Sequence, residues 1–273
     1  MYLGVDIGAT KVLLAAITND GNVKEQLKFP TPEAYKDLVR DFAKALPDLG
    51  DFDFERAVVA VPGRLDRQKG VGLAFGNRPW LNVPIRRDFE KITACPVRIE
   101  NDAKLAALSE ANLIKKDFKK VLYVTISTGI SSGLIIDGKI DPSMQDSEAG
   151  QMWFNRNGRM VQWEDFASGR AIVKKYGKRA SEINDKNTWR IISRDIAIGL
   201  LELISVIQPE VIVLGGGVGT HFEKYKEPLL EELKKRELPI TPIPPIIKAK
   251  HPEEAVVFGC YLLAKEEHGK AAR

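Results

Sequence analysis

Two stretches decide how this chain is read: Asp6-Ile7-Gly8-Ala9-Thr10-Lys11 and Ser127-Thr128-Gly129-Ile130-Ser131-Ser132-Gly133. Each is a small polar turn entered from one apolar run and left along another. Residues 2–5 and 12–17 flank the first, and Asn19-Asp20-Gly21-Asn22 then offers an Asp-Gly hairpin turn into a third run over 23–29. Residues 121–126 and 134–136 flank the second, with Asp137-Gly138 as the following turn. One plan used twice predicts an internally duplicated fold. The turns also share a chemistry. Asp6 sets a carboxylate at a strand end, Gly8 admits close backbone approach, and Thr10 and Lys11 add a hydroxyl and a cation, the parts that hold a metal-bound polyphosphate. Alone, the first turn is equally an ordinary hairpin; Thr128 and Gly129 add donors for an opposite wall, and the pair is far more specific than either.

Working outward, Pro32 opens a helical stretch with Leu38, Phe42 and Leu46 as its core-facing stripe. Residues 57–61 read as a buried strand feeding Pro62-Gly63, and 63–96, rich in Gly, Pro and Asn, as loops. A strand over 97–100 runs into Asn101-Asp102 and a helix over 103–111. Later come a helix over 189–207, a strand over 211–214, Gly215-Gly216-Gly217, a helix over 222–235, an edge strand or extended loop over 239–245, and a last helix from 253 to about 265.

Composition narrows the classes. The 273 residues are 44% hydrophobic and 29% charged, and 41 Lys and Arg against 37 Asp and Glu leave a net charge of +4. That is a globular composition with length for two domains, not a disordered or fibrous one. No apolar run is long enough to span a bilayer, and the first residues enter a strand rather than an export signal, so a cytoplasmic location is expected and no membrane partner. Cys95 and Cys260 alone build neither a disulfide framework nor a thiolate zinc site. The basic cluster Lys115-Lys116 through Lys119-Lys120 lacks interleaved aromatics and reads as a solvated helix end, not a nucleic-acid surface.

Two further features carry chemistry. Asp102 stands at a strand-to-helix junction, where its plain role is an N-cap. Gly215-Gly216-Gly217 follows a strand but lacks the Gly-Lys-Ser/Thr ending of a Walker A loop; it is either a helix-entry loop or a place where a nucleobase and ribose approach the backbone.

Taken together, these residues resemble the ROK family of sugar kinases, a branch of the actin-like, hexokinase and Hsp70 ATPase superfamily. Its Asp-x-Gly-x-Thr-Lys turn is matched by residues 6–11, its Val-Pro-Gly turn by Val61-Pro62-Gly63, its Asn-Asp before an Ala-rich helix by Asn101-Asp102-Ala103, its second phosphate turn by 125–133, and its adenosine loop by 209–217. The matches fall in the family's order over nearly the whole chain. The resemblance implies an α/β, two-domain actin-like ATPase (ribonuclease H-like) fold with an active-site cleft between the domains. Residues 1–114 with a C-terminal helix over 253–273 would form the first domain, and 115–252 the second.

It also implies an activity: ATP-dependent phosphorylation of a hexose, glucose foremost, with N-acetylglucosamine, N-acetylmannosamine and fructose as alternatives. Asp102 becomes the general base. Asn77, Asn101, Asp102, Glu148, Gln151 and Glu164 would contact the sugar; Asp6, Gly8, Thr10, Lys11, Thr128, Gly129, Gly215, Gly216 and Gly217 would hold ATP, with Asp6 reaching Mg²⁺ through water. Asn77 is equally a turn residue, and Glu148 and Glu164 equally solvated loop charges. A homodimer is implied. The chain departs from the family at Gln151, which replaces the histidine of a Glu-x-Gly-His segment, and over 155–163, where the zinc-binding cysteines are missing. No structural zinc is expected; Trp153, Phe154 and Trp163 are expected to brace the loop instead. The family's DNA-binding regulators carry a helix-turn-helix ahead of the first strand, whereas here the phosphate turn begins at residue 6. A degenerate sugar-binding protein is the non-enzyme alternative.

Overall fold

The computed structural model describes residues 1–76, 78–251 and 254–271, with side chains described as far as residue 266. The chain forms two compact units, Met1–Ser109 with Glu254–Arg273, and Glu110–Glu253.

In the first unit, β1 (Tyr2–Ile7), β2 (Lys11–Ile17) and β3 (Val23–Pro30) form the antiparallel meander expected from their alternation of apolar runs and turns. After α1 (Tyr35–Asp48), β4 (Arg56–Val61) lies parallel to β1. Three short strands follow, β5 (Arg64–Asp66), β6 (Val71–Ala74) and β7 (Leu81–Val83), then α2 (Ile85–Thr93), β8 (Val97–Asn101) parallel to β4, and α3 (Asp102–Ile114). The main sheet has the order β3-β2-β1-β4-β8. Its core joins Val5, Leu14, Val59 and Ile99 to Leu38, Phe42 and Phe89, the last two rings stacked at 4.3 Å. The division between the units falls within α3.

In the second unit, β9 (Lys120–Ile126), β10 (Ile130–Ile136) and β11 (Lys139–Ile140) repeat the meander. The hairpin β12 (Trp153–Arg156) and β13 (Arg159–Gln162) leads to the helices α4 (Glu164–Ala167), α5 (Gly169–Tyr176) and α6 (Lys186–Ile207). Asp185 caps α6 by accepting the Thr188 N–H at 2.7 Å, and Gln208 ends it in the left-handed region at φ 48°. Next come β14 (Val211–Gly215), α7 (Gly216–Gly219), α8 (Lys226–Lys234) and β15 (Ile246–Lys248). The order β11-β10-β9-β14-β15, with β14 parallel to both β9 and β15, is the first sheet's plan again, so the duplication predicted from the paired turns is present. Finally α9 (Ala255–Ala271) returns to the first unit and packs on β1 and β4.

Several expectations are corrected. Residues 63–96 are not mostly loop: they hold three strands and α2, whose strands of three or four residues are too short to show a period. The first helix starts at Tyr35 rather than at Pro32, and Ala45 and Leu49 are buried beside Leu38 and Phe42 while Leu46 is half-buried. The helix expected over 222–235 is broken at Tyr225, which leaves helical geometry (φ −133°) to stack on Trp189 at 5.2 Å. Of the two readings left open for residues 239–245 the extended loop holds, and the edge strand follows them, as β15. The expected helix start at 253 lies outside the described residues. No described helix is long and apolar enough to cross a membrane.

Candidate active site

In the first unit the parallel strands β1, β4 and β8 end at one sheet edge, which brings Asp6, the Val61-Pro62-Gly63 turn and Asn101-Asp102 to the same side. Ligands of open α/β sheets bind beyond such strand ends. The Asp6 turn is closed by Gly8 N–H donating to Lys11 O at 3.0 Å and braced by Thr31 Oγ1 donating to Gly8 O at 2.8 Å. Ala9, Thr10 and Lys11 stand exposed on it. Asp6 itself is partly buried; desolvation first, and the charge of Asp102 second, push its carboxyl up to about 7, with Lys11 pulling the other way. Two carboxyls held up together suit a positive charge brought to them, and no third acidic, His or Cys side chain among the described residues completes a metal cage there. That donor set fits a cation arriving with phosphate and water ligands rather than one bound by protein alone.

The expected cap at Asp102 belongs to its neighbour. Asn101 Oδ1 accepts the Ala103 N–H at 3.0 Å and the Lys104 N–H at 3.3 Å, and Asn101 Nδ2 donates to Gly63 O at 3.3 Å. Asn101 is 3% exposed, so its side chain is committed to the fold and orients the residue after it. Gly63 is required for this: its φ is +115°, and a Cβ would lie 2.2 Å from Ala74 O. Asp102 is thereby spared the capping role. Its Oδ1 accepts the Ala103 N–H at 2.8 Å, and its carboxyl is held above the usual range by burial, opposed by that hydrogen bond and the Lys104 charge.

Sequence reasoning missed the support beneath this pair. Glu100, 1% exposed, receives the Arg67 guanidinium in a fork (Nη2 to Oε1 2.6 Å, Nε to Oε2 3.0 Å) and accepts the Asn101 N–H at 2.8 Å. It missed also Arg78, which donates to Thr31 O at 3.1 Å and to Ala9 O within the turn. Asn77 lies outside the described residues.

In the second unit, β9 and β14 end side by side, with Thr125 opposite Gly215, so the Ser127-Thr128-Gly129 turn and the glycine run share an edge. Gly216 has φ +77°, and a Cβ there would sit 2.6 Å from Ile126 O, whereas one on Gly217 would meet open space. The first two glycines thus serve close packing against β9, and the third is where a ligand has room. Around the turn, Glu164 Oε2 accepts the Ile130 N–H at 3.3 Å and Oε1 accepts from Gln151 Nε2 at 3.1 Å and Arg170 Nη2 at 3.3 Å. Exposed Glu148 accepts from Ser131 Oγ at 3.1 Å, and Gln162 Nε2 donates to Gln151 Oε1. Glu148, Gln151 and Glu164 are therefore brought together beside the second turn.

The loop brace differs in part from the expectation. Trp163 is fully buried and donates to Asp195 O at 3.2 Å, and Phe154 packs edge-on against Phe166 at 5.9 Å. Trp153, however, is 59% exposed and lies outside the buried core. Its place is taken by Arg156, which lies over the Phe166 ring at 4.2 Å and pairs with Asp195 at 2.8 Å.

The sequence profile of the ROK family matches residues 2–267. The chain belongs to the ROK family. It is 30% identical to an N-acetyl-D-glucosamine kinase of Aliivibrio fischeri over 96% of this chain and 99% of the relative. Among solved structures it is similar to a ROK hexokinase from Thermus thermophilus (TM-score 0.81, 28% identity, 98% of this chain and 99% of that one). It shares the fold of a ROK family glucokinase from Streptomyces griseus in complex with glucose and AMPPNP (TM-score 0.83, 24% identity, 97% of this chain and 99% of that one). The fold is thus the two-domain, actin-like ATPase architecture that the motif order implied.

Proposed function

We propose that the protein is an ATP-dependent hexose kinase that transfers the γ-phosphoryl group of Mg-ATP to the 6-hydroxyl of glucose, with Asp102 as general base. The broader class, a phosphotransferase acting on a sugar hydroxyl, is supported by the kinases to which the chain is similar. The observation that carries the finer reading is the arrangement at the head of α3: Asn101 takes the cap, Glu100 and Arg67 lock the strand end, and the Asp102 carboxyl is left oriented and held above the usual carboxylate range by burial. Phosphoryl transfer asks the protein for positioning, charge neutralisation and a proton acceptor. In this reading the sugar oxygen forms its bond to phosphorus as the bond to ADP breaks, and its proton passes to the Asp102 carboxylate.

The substrate's Mg²⁺ is offset by Asp6, through water. Thr10 and Lys11 supply a donor and positive charge to phosphate oxygens where Gly8 keeps the turn tight, Thr128 and Gly129 are read as further phosphate donors, and Gly217 is where the nucleoside approaches the backbone. Glu148, Gln151 and Glu164 pair with sugar hydroxyls. Sites built from such acceptors strongly reject analogues lacking one hydroxyl. A second reading, an N-acetylhexosamine kinase, is favoured by the 30% identity to the Aliivibrio fischeri enzyme. We further read the protein as a homodimer, to be checked by its mass in solution.

The test is a coupled ADP-release screen over glucose, mannose, fructose and the N-acetylated hexosamines, with ATP and Mg²⁺ and with ADP or polyphosphate as alternative donors. Turnover highest on glucose supports the first reading, and highest on an N-acetylated sugar the second. Silence on every sugar overturns both in favour of a sugar-binding protein.

A further inference from the structure

The first unit has a concave site beside the start of β8, the strand that ends at Asn101 just before Asp102. A cavity of about 510 Å³ is lined by Arg67, Gln68, Arg86, Glu90, Val97 and Arg98. With a rise of about 3.3 Å per strand residue, Val97 stands about 16 Å along the chain direction from Asp102. The volume is that of a small-molecule site, and its lining is dominated by guanidinium groups.

Arginine-rich surfaces are commonly neutralised from within, so the partners of each group matter. Arg67 is forked on Glu100, and Arg98 reaches the same carboxylate at 4.0 Å. Arg86 is different. Its Nη1 donates to Gln68 O at 3.0 Å and its Nη2 to Arg67 O, both neutral acceptors, and its Nε is buried without a hydrogen-bond partner. Among the described residues no carboxylate pairs with it. The one acidic side chain in the lining, Glu90, uses Oε1 to accept the Val97 N–H at 3.1 Å. Three guanidiniums thus line one cavity, Glu100 is shared by two of them, and among the described residues Arg86 has only carbonyl acceptors and no ion pair. Arg86 is half-buried with its Nε enclosed, so its charge is partly desolvated and is favoured by an anion brought to it.

We propose that this cavity binds a small phosphate-bearing anion, separately from the candidate active site. Guanidinium forks match phosphate oxygens in pairs, which lysines or a helix end would not do as selectively. Glu90 and the Gln68 amide offer acceptors and a donor for hydroxyls on the same ligand, so a phosphorylated polyol fits the lining better than free phosphate does.

Calorimetric titration of the full chain with inorganic phosphate and with glucose 6-phosphate tests this, using the wild type, Arg86→Gln and the part-exposed Arg98→Gln. Circular dichroism of each confirms the fold, since Arg86 also ties down residues 67–70. A binding component weakened at least tenfold in both variants is expected, with the Asp6→Asn protein retaining it. Tighter binding of glucose 6-phosphate identifies the polyol phosphate, and tighter binding of inorganic phosphate the free ion. Absence of binding by the wild type, or isotherms unchanged in folded Arg98→Gln, overturns the proposal.

Discussion

Replacing Asp6 by asparagine separates what this carboxyl does for the reaction from what it does to the fold. Burial and the neighbouring Asp102 charge raise it from 3.8 to about 7. The folded pKa therefore exceeds the unfolded one, and the sign follows. Below about pH 4 both states hold the proton and there is no cost; as pH rises from 4 to 7 the unfolded chain releases it first and stability falls; above 7 the cost is complete. At 1.36 kcal/mol for each pKa unit the ceiling is about 4 kcal/mol. Asp6 is only partly buried and Lys11 screens it, so we expect about 1–2 kcal/mol to be realised. Asparagine keeps the shape and removes the charge. Urea unfolding at pH 8 is expected to show Asp6→Asn more stable than wild type by about 1–2 kcal/mol, with the difference vanishing near pH 4. In the same protein ATP-dependent sugar phosphorylation is expected to fall at least about a hundredfold if Asp6 is, as proposed, the acceptor for the nucleotide's cation. A variant no more stable at pH 8, or a stability difference independent of pH, would refute the reasoning.

Other expectations follow from single contacts. Asn101→Ala removes the α3 cap and the donor to Gly63 O, so urea unfolding should show a loss of about 1–2 kcal/mol, while steady-state kinetics show kcat falling with little change in the sugar KM. Gly216→Ala forces a Cβ to 2.6 Å from Ile126 O at φ +77°, and a thermal melt should register about 1–3 kcal/mol of destabilisation. Trp163→Ala empties a fully buried site and takes the donor from Asp195 O, at a cost of about 3–5 kcal/mol by urea unfolding.

The parts of this structure that were legible in the sequence are those encoded over a few residues. Apolar runs broken by Asp-Gly and Gly-rich turns announced β1 to β3, β9 and the second half of β10, and the repetition of that pattern announced a duplicated fold, whereas residues 130–133, read as turn, belong to β10, and the two-residue β11 was not foreseen. Short elements were hidden: β5 and β7 have three residues each, too few to show alternation, and they passed for loop. The cap at α3 was misplaced by one residue because Asn101 and Asp102 are both good cap formers, and only the hydrogen bonds choose between them. The break at Tyr225 is tertiary, set by stacking on Trp189 36 residues away in sequence. The same is true of the polar supports. Arg67 and Glu100 are 33 residues apart, and Arg156 and Asp195 39, so nothing local in either partner foretells the pair.

The central claim is that Asp102 receives the proton of a sugar hydroxyl during phosphoryl transfer from ATP. Its most direct measurement is the rate of glucose 6-phosphate formation from glucose and Mg-ATP by the wild type and by Asp102→Asn, each shown to be folded by circular dichroism. The account predicts product with the wild type and a rate lower by about 10²–10⁴ with the asparagine variant. A near-normal rate in that variant would contradict it.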